Sequence, residues 1–298
     1  MKTIQRTFIP GSMWLSIKVY GGEKTLDNLL SKDIYLIIKE LNSQKKINKW
    51  FFIRYADPDD HLRIRILMKN ANIVGSVIDL FYKKLNLLVK ERIIWKVIID
   101  TYSRELERYG NSLIEDAETI FHIDSECIIS CLRILNKFPN ENYRWMISIR
   151  MIDELLSSFS LNVEQKKWLM SKLSWSYKEE FGFNEFNSKQ FNSRYRLYKN
   201  ILENVLKNNI NDHVFNGLCV KVNRKSVMLR PVVSKVINKS RSKKNEIVLE
   251  NLIMSYIHMM INRVFISQNR KHELIIYDFL RRYYTSEEVR IKNSSNDI

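Results

Sequence analysis

The chain predicts an α+β fold: an N-terminal mixed sheet with helices on one face, followed by a mostly helical C-terminal half packed as one unit with it. Three observations carry this. Strand-like and helix-like patterns alternate up to about residue 111, and from about Ser112 nearly every segment has helical periodicity. No Pro-, Gly- or Ser-rich linker divides the two parts. A chain of 298 residues, 45% hydrophobic with 7 Gly and 4 Pro, can bury a sizeable core as an ordered globular protein. It reads as one domain over 1–298, with a sheet-containing part at about 1–111 and a helical part at about 112–298.

Taken in order, "KTIQRTFIP" and "WLSIKVY" read as strands around a turn at Pro10-Gly11. In "TLDNLLSKDIYLIIKELNSQ", Leu26, Leu29, Leu30, Ile34, Ile37 and Ile38 fall on one helical stripe. "WFFIRYA" and "HLRIRILM" predict a hairpin across the polar loop Asp57-Pro58-Asp59-Asp60. A helix around Ile73 to Leu87 and a strand, "RIIWKVIIDTY", complete this part. Beyond Ser112, "SLIEDAETIFHIDSECIISCLRIL", "NYRWMISIRMIDELLSSF", "VEQKKWLMSKLSWSYKEEF" and "SKQFNSRYRLYKNILENVL" read as helices. "VVSKVINKSRSKKNEIVLENLIMSYIHMMINRVF" reads as further helix, strongly amphipathic in its last half, and "KHELIIYDFLRRYY" as the closing one.

Composition narrows the function classes. The formal net charge is +16, which favours acidic partners, although much of it is Lys diffused through a Lys/Asn/Ile-rich chain. From Lys221 to Lys244 there is no Asp or Glu, but without interleaved aromatics this stretch reads as a solvated face. The start lacks an apolar signal core, and charges interrupt every apolar run before it could span a bilayer. Cys127 and Cys131 sit one helical turn apart and Cys219 is isolated, a pattern of reduced thiols rather than a metal site. These features together predict a cytoplasmic protein.

The residue patterns that carry chemistry are few. In "HLRIR", His61, Arg63 and Arg65 alternate with Leu62, Ile64 and Ile66, so a strand puts the two arginines on one face. Side by side they repel, and an anion between or above them relieves this. In the helix that contains His258, the residues Asn251, Ser255, His258 and Asn262 form a narrow polar seam opposite an apolar stripe. Such a seam is either hydrogen-bonded internally or lines a cavity. In "SRELERYG", Arg104 and Arg108 are expected on one helix face, with Glu105 and Glu107 able to pair with them.

"FFIRYADPDDHLRIR", "YSRELERYG", "SYIHMMINR" and "HELIIYDFLRRYY", in that order and after the opening "PGSMWLSIKVYGG", resemble the glutamate-elimination domain of lantibiotic dehydratases. This is the thiopeptide-type bacteriocin biosynthesis domain, which also occurs as a stand-alone protein, and the resemblance covers nearly the whole chain. One departure is visible: Gly110 is followed by Asn111 where the family often has a second glycine. The resemblance implies a partner that transfers glutamate from glutamyl-tRNA onto Ser or Thr of a precursor peptide. The elimination domain then expels glutamate, leaving dehydroalanine or dehydrobutyrine.

Carried over position by position, the family's catalytic set falls on Arg63, Arg65, Arg104 and His258, with Arg54, His61, Ser255, Asn262 and Arg263 expected at the substrate around them. The chemistry is coherent. A glutamyl ester leaves as a carboxylate with a conjugate-acid pKa of about 4, and a neutral imidazole (reference pKa about 6.5) suits removal of the Cα proton. Guanidinium groups meet the carboxylate. No metal or organic cofactor is implied, nor any membrane span or direct nucleic-acid binding, and homo-oligomerisation is compatible with the sequence. Two other readings compete. Relatives of the same fold close a pyridine ring by a formal [4+2] cycloaddition between dehydroalanines. A non-catalytic basic adaptor for RNA or an acidic peptide would account for the charge, but not for the seam around His258.

Overall fold

In the computed structural model, which describes residues 4–241 and 247–296, the N-terminal part builds two antiparallel sheets. A short strand β1 (Thr7–Phe8) pairs with β6 (Tyr102–Ser103). The larger sheet contains β2 (Trp14–Gly21), β3 (Ile47–Ala56), β4 (Asp60–Met68) and β5 (Ile94–Asp100), in the order β3-β4-β2-β5. Between these strands run α1 (Glu23–Leu29), a π-helical turn (Leu30–Ile34), α2 (Tyr35–Ser43) and α3 (Val74–Lys90). The chain continues as α4 (Leu106–Tyr109), α5 (Ile114–Lys137), α6 (Glu141–Ser158), α7 (Val163–Glu180) and α8 (Glu185–Leu206). It closes with α9 (His213–Ser240), α10 (Leu249–Val264) and α11 (Asn269–Asn296). The α+β prediction holds.

The alternation in β4 decides which side of the sheet is core. Leu62, Ile64 and Ile66 are fully buried and join one hydrophobic cluster that runs from Phe8 to Tyr284. The opposite face carries His61, Arg63 and Arg65, in register with Tyr20, Lys18 and Ser16 of β2. The outer edge of β3 is closed by side chains from α5 and α10. Phe52 N–H donates to Ser125 Oγ (3.3 Å), and its carbonyl accepts from Arg263 Nε (2.8 Å). Arg54 N–H donates to Asn262 Oδ1 (3.0 Å), and its carbonyl accepts from Asn262 Nδ2 (2.9 Å). Helices thus satisfy an edge that would otherwise be open. None of the described helices is long and apolar enough to cross a membrane.

Four expectations are corrected. The N-terminal segment does not pair with β2, because β2 already has β4 and β5 on its two edges; β1 shrinks to two residues and finds β6. Arg104 and Arg108 do not share a helix: the Arg104 N–H still donates to Arg6 O at the end of the β1–β6 ladder, and α4 begins only at Leu106. The expected helix over 232–265 is two helices, and α9 passes through Pro231. Proline removes an N–H that Val227 O would accept, and Val227 is 57% exposed, so solvent can replace it. Finally, the acid-free stretch is not wholly solvated: Lys225 is buried and paired with Asp124 at 2.7 Å. Its last residues, Ser242 to Lys244, lie outside the described residues.

Candidate active site

A cleft of about 410 Å³ opens between the β3–β4 hairpin end and the junction of α10 with α11. Its walls include Arg54, Tyr55, His61, His258, Asn262 and Arg270, with Glu23, Asp57 and Asp60 also contributing. His258 is one of two histidines in this wall. Its Nδ1 lies 2.8 Å from Oε1 of Glu273, which is fully buried and also accepts from Tyr277 Oη at 2.7 Å. A carboxylate can only accept here, so Nδ1 carries the proton of this contact. Behind Glu273, Arg270 Nη1 lies 3.9 Å from Oε2, and Arg270 itself is held by Glu180 and Tyr177.

His61 and Tyr55 belong to the cleft wall and also to a neighbouring strip of cations on the sheet. Arg63 donates from Nε to His61 Nε2 (3.0 Å) and stacks its guanidinium 3.5 Å from the Tyr55 ring centre. His61 Nδ1 in turn is 2.8 Å from Asp59 O, and burial lowers the pKa of this imidazole, keeping it neutral as the acceptor that Arg63 needs. Two residues on, Arg65 lies 4.3 Å from the ring centre of Tyr102 and 5.5 Å from that of Phe51. Its Nε is buried with no hydrogen-bond partner, and burial depresses its pKa. Among the described residues neither arginine has a carboxylate within ion-pair distance; the nearby Asp100 is taken by Lys18 at 2.6 Å. A desolvated guanidinium without an anion costs free energy that a carboxylate ligand would recover.

With this geometry established, the comparisons have a clear meaning. The family model described as lantibiotic biosynthesis dehydratase C-term matches residues 14–284. The chain belongs to this family. It is 27% identical over 281 residues to the epidermin biosynthesis protein EpiB of Staphylococcus epidermidis, covering 89% of this chain and 25% of that protein. It is likewise 27% identical over 290 residues to the nisin biosynthesis protein NisB of Lactococcus lactis subsp. lactis, covering 95% and 26%. The chain therefore spans about a quarter of the length of these curated relatives. Among solved structures, the tRNA-dependent lantibiotic dehydratase MibB from Microbispora sp. 107891 superimposes with a TM-score of 0.72 at 16% identity, over 95% of this chain and 29% of MibB. The pyridine synthase TbtD from thiomuracin biosynthesis gives 0.66 at 10%, over 92% and 99%. Both share the fold.

In this lantibiotic dehydratase C-terminal domain, the other sequence-selected residues fall in different places. Arg104 does not line the cleft. It is buried against Glu118, with Nε to Oε1 and Nη2 to Oε2 each at 2.7 Å, and the same carboxylate accepts from Tyr102 Oη at 2.8 Å. Arg54 reaches the cleft wall but spends its guanidinium on Asp27 (2.5 Å) and on Arg263 O (3.1 Å). Arg263 is fully buried, its pKa pushed down to about 10 by burial, and it binds Phe52 O and Met259 O. Asn262 lines the cleft while clamping β3, and Ser255 stands one turn from His258 outside the wall.

Sequence reasoning assigned no role to Glu273, Tyr277 or Arg270, although two of them lie in the quoted "HELIIYDFLRRYY". The signal was there: Glu273 shares a buried stripe with Tyr277, Leu280 and Tyr284. A carboxylate on such a stripe requires a partner. Among the described residues no cluster of three His, Cys, Asp or Glu side chains is arranged to hold a metal ion.

Proposed function

We propose that this domain eliminates glutamate from glutamylated Ser or Thr in a ribosomally made precursor peptide, giving dehydroalanine or dehydrobutyrine. The observation that carries this reading is the pairing of two features that share His61 and Tyr55: an imidazole fixed by a buried carboxylate, and an arginine pair without a carboxylate of its own. His258 Nε2 takes the Cα proton, the Cα–Cβ double bond forms, and the Cβ–O bond breaks with the electron pair leaving on glutamate. Arg63 and Arg65 hold the glutamyl unit and stabilise the departing carboxylate. Glu273 is a positioning residue that fixes the His258 tautomer and faces the imidazolium once it forms. Arg104 acts at one remove, through Glu118 and Tyr102, by seating the ring against which Arg65 packs.

Glutamylation from glutamyl-tRNA is assigned to a partner domain or protein, as the resemblance to the family implies. The resemblance in fold to the pyridine synthase TbtD supports a second reading, ring closure by cycloaddition, in which carboxylate-binding arginines have no task. Mass spectrometry of a glutamylated Ser-containing peptide incubated with the protein separates the two. Elimination removes glutamic acid from the glutamylated peptide, leaving a product one water lighter than the unmodified peptide, and His258→Ala abolishes it. An unchanged glutamylated mass, with ring closure of a pre-dehydrated peptide, would replace elimination by the second reading.

A further inference from the structure

The two edges of the larger sheet are treated differently. The β3 edge is closed by side chains of α5 and α10, whereas β5 is the last strand on the other side and, among the described residues, pairs only with β2. Its outer backbone edge is open, and its side chains are not those of a protected edge: Trp95, Val97 and Ile99 are 51%, 40% and 39% exposed. Ile93 just before it, with Leu87 and Val89 at the end of α3, adds exposed apolar surface beside it. Natural edge strands are usually blunted by charge, proline or a bulge, and an open apolar one is a template for strand addition.

We infer that β5 is the contact through which two copies of this chain associate, by antiparallel β5–β5 pairing about a two-fold axis. The sequence of the strand selects the register. With Ile98 on the axis, Lys96 stands directly opposite Asp100 of the second copy, and Asp100 opposite Lys96 of the second copy; Asp100 already holds Lys18 at 2.6 Å, so the pairing adds a second cation to each carboxylate. In the same register Val97 faces Ile99 of the second copy, twice, on the other side of the sheet. An isologous contact of this kind is the one a two-fold axis allows. Lys96 is exposed and lies only over the Tyr20 ring, so it is available for the new pair. The like charge of +16 on each copy opposes association and points to a weak dimer rather than an obligate one. Pairing would give one eight-stranded sheet, β3-β4-β2-β5 followed by its mirror order. The two Arg63/Arg65 strips would then lie on one continuous face, about 24 Å apart at about 4.8 Å per strand.

This inference does not depend on the elimination reading. Sedimentation velocity on the full chain, up to about 100 μM, where a micromolar Kd would be saturated, tests it. The wild type is expected to shift to the dimer's sedimentation coefficient. Lys96→Asp, which sets two carboxylates opposite each other across the pairing, should abolish the shift. Ile99→Lys, at an exposed position and with circular dichroism as the check that the fold is kept, should abolish it independently. A wild type that stays monomeric throughout, or a dimer indifferent to Lys96→Asp and Ile99→Lys, would overturn the proposal.

Discussion

Arg65 and Arg104 are both tied to Tyr102, one through its ring and one through the carboxylate that its hydroxyl shares, and differ in one respect. Arg104 has a buried carboxylate of its own, Glu118, bound by two hydrogen bonds, whereas Arg65 packs on the Tyr102 ring with Nε unpartnered. The same division runs through the other arginines near the site: Arg54 and Arg263 are consumed by Asp27 and main-chain carbonyls, while Arg63 rests on His61 and Tyr55. A guanidinium that already holds its anion stabilises the fold. One that does not is available to a ligand, so charge and proximity alone do not identify a binding arginine.

The largest effects should come from the two side chains proposed to act on the substrate. His258→Ala should lower the elimination rate by about 10²–10⁴-fold and Arg65→Ala by about 10²–10³-fold, both with a wild-type thermal midpoint. Peptide turnover measured beside thermal unfolding checks this. Arg104→Ala should behave oppositely in stability, losing about 3–5 kcal/mol in urea unfolding because Glu118 is left charged and buried. Adding Glu118→Gln to Arg104→Ala should recover part of that loss, and Arg104→Lys should retain turnover in proportion to the Glu118 contact it keeps. Glu273→Gln leaves the imidazole in place but no longer fixes its tautomer; the rate should fall by about 10² or more, with a displaced pH profile.

The smallest effect is on acid stability. Burial lowers the pKa of His61, His122 and His272, so each is held neutral in the fold while it protonates normally when unfolded. Their contribution is complete above the unfolded value of about 6.5 and is lost as pH falls below it toward the depressed folded values. Unfolding free energy should therefore decline below about pH 6.5, and His61→Gln should remove part of the slope. A flat profile across that window would contradict it.

Much of this was legible in the sequence, and the reasons are local. The "HLRIR" alternation and the polar loop before it fixed the hairpin and the cation face, because strand periodicity is read residue by residue. The family resemblance supplied His258. What the sequence could not show were pairings set by tertiary structure. Glu118, fourteen residues beyond Arg104, takes that arginine out of the site. Glu273, on the next helix, gives His258 its orientation. The expected N-terminal strand shrinks to two residues for a similar reason, since a strand pattern does not reveal that both edges of the next strand, β2, are occupied.

The central claim is that unpartnered arginines, rather than nearby ones, carry the substrate. Turnover of a glutamylated peptide by Arg65→Ala, measured by mass spectrometry alongside its unfolding midpoint, tests this most directly. The account predicts glutamylated peptide left unconverted by a protein as stable as the wild type. Wild-type turnover by Arg65→Ala, or a variant that loses activity only because it unfolds, would contradict it.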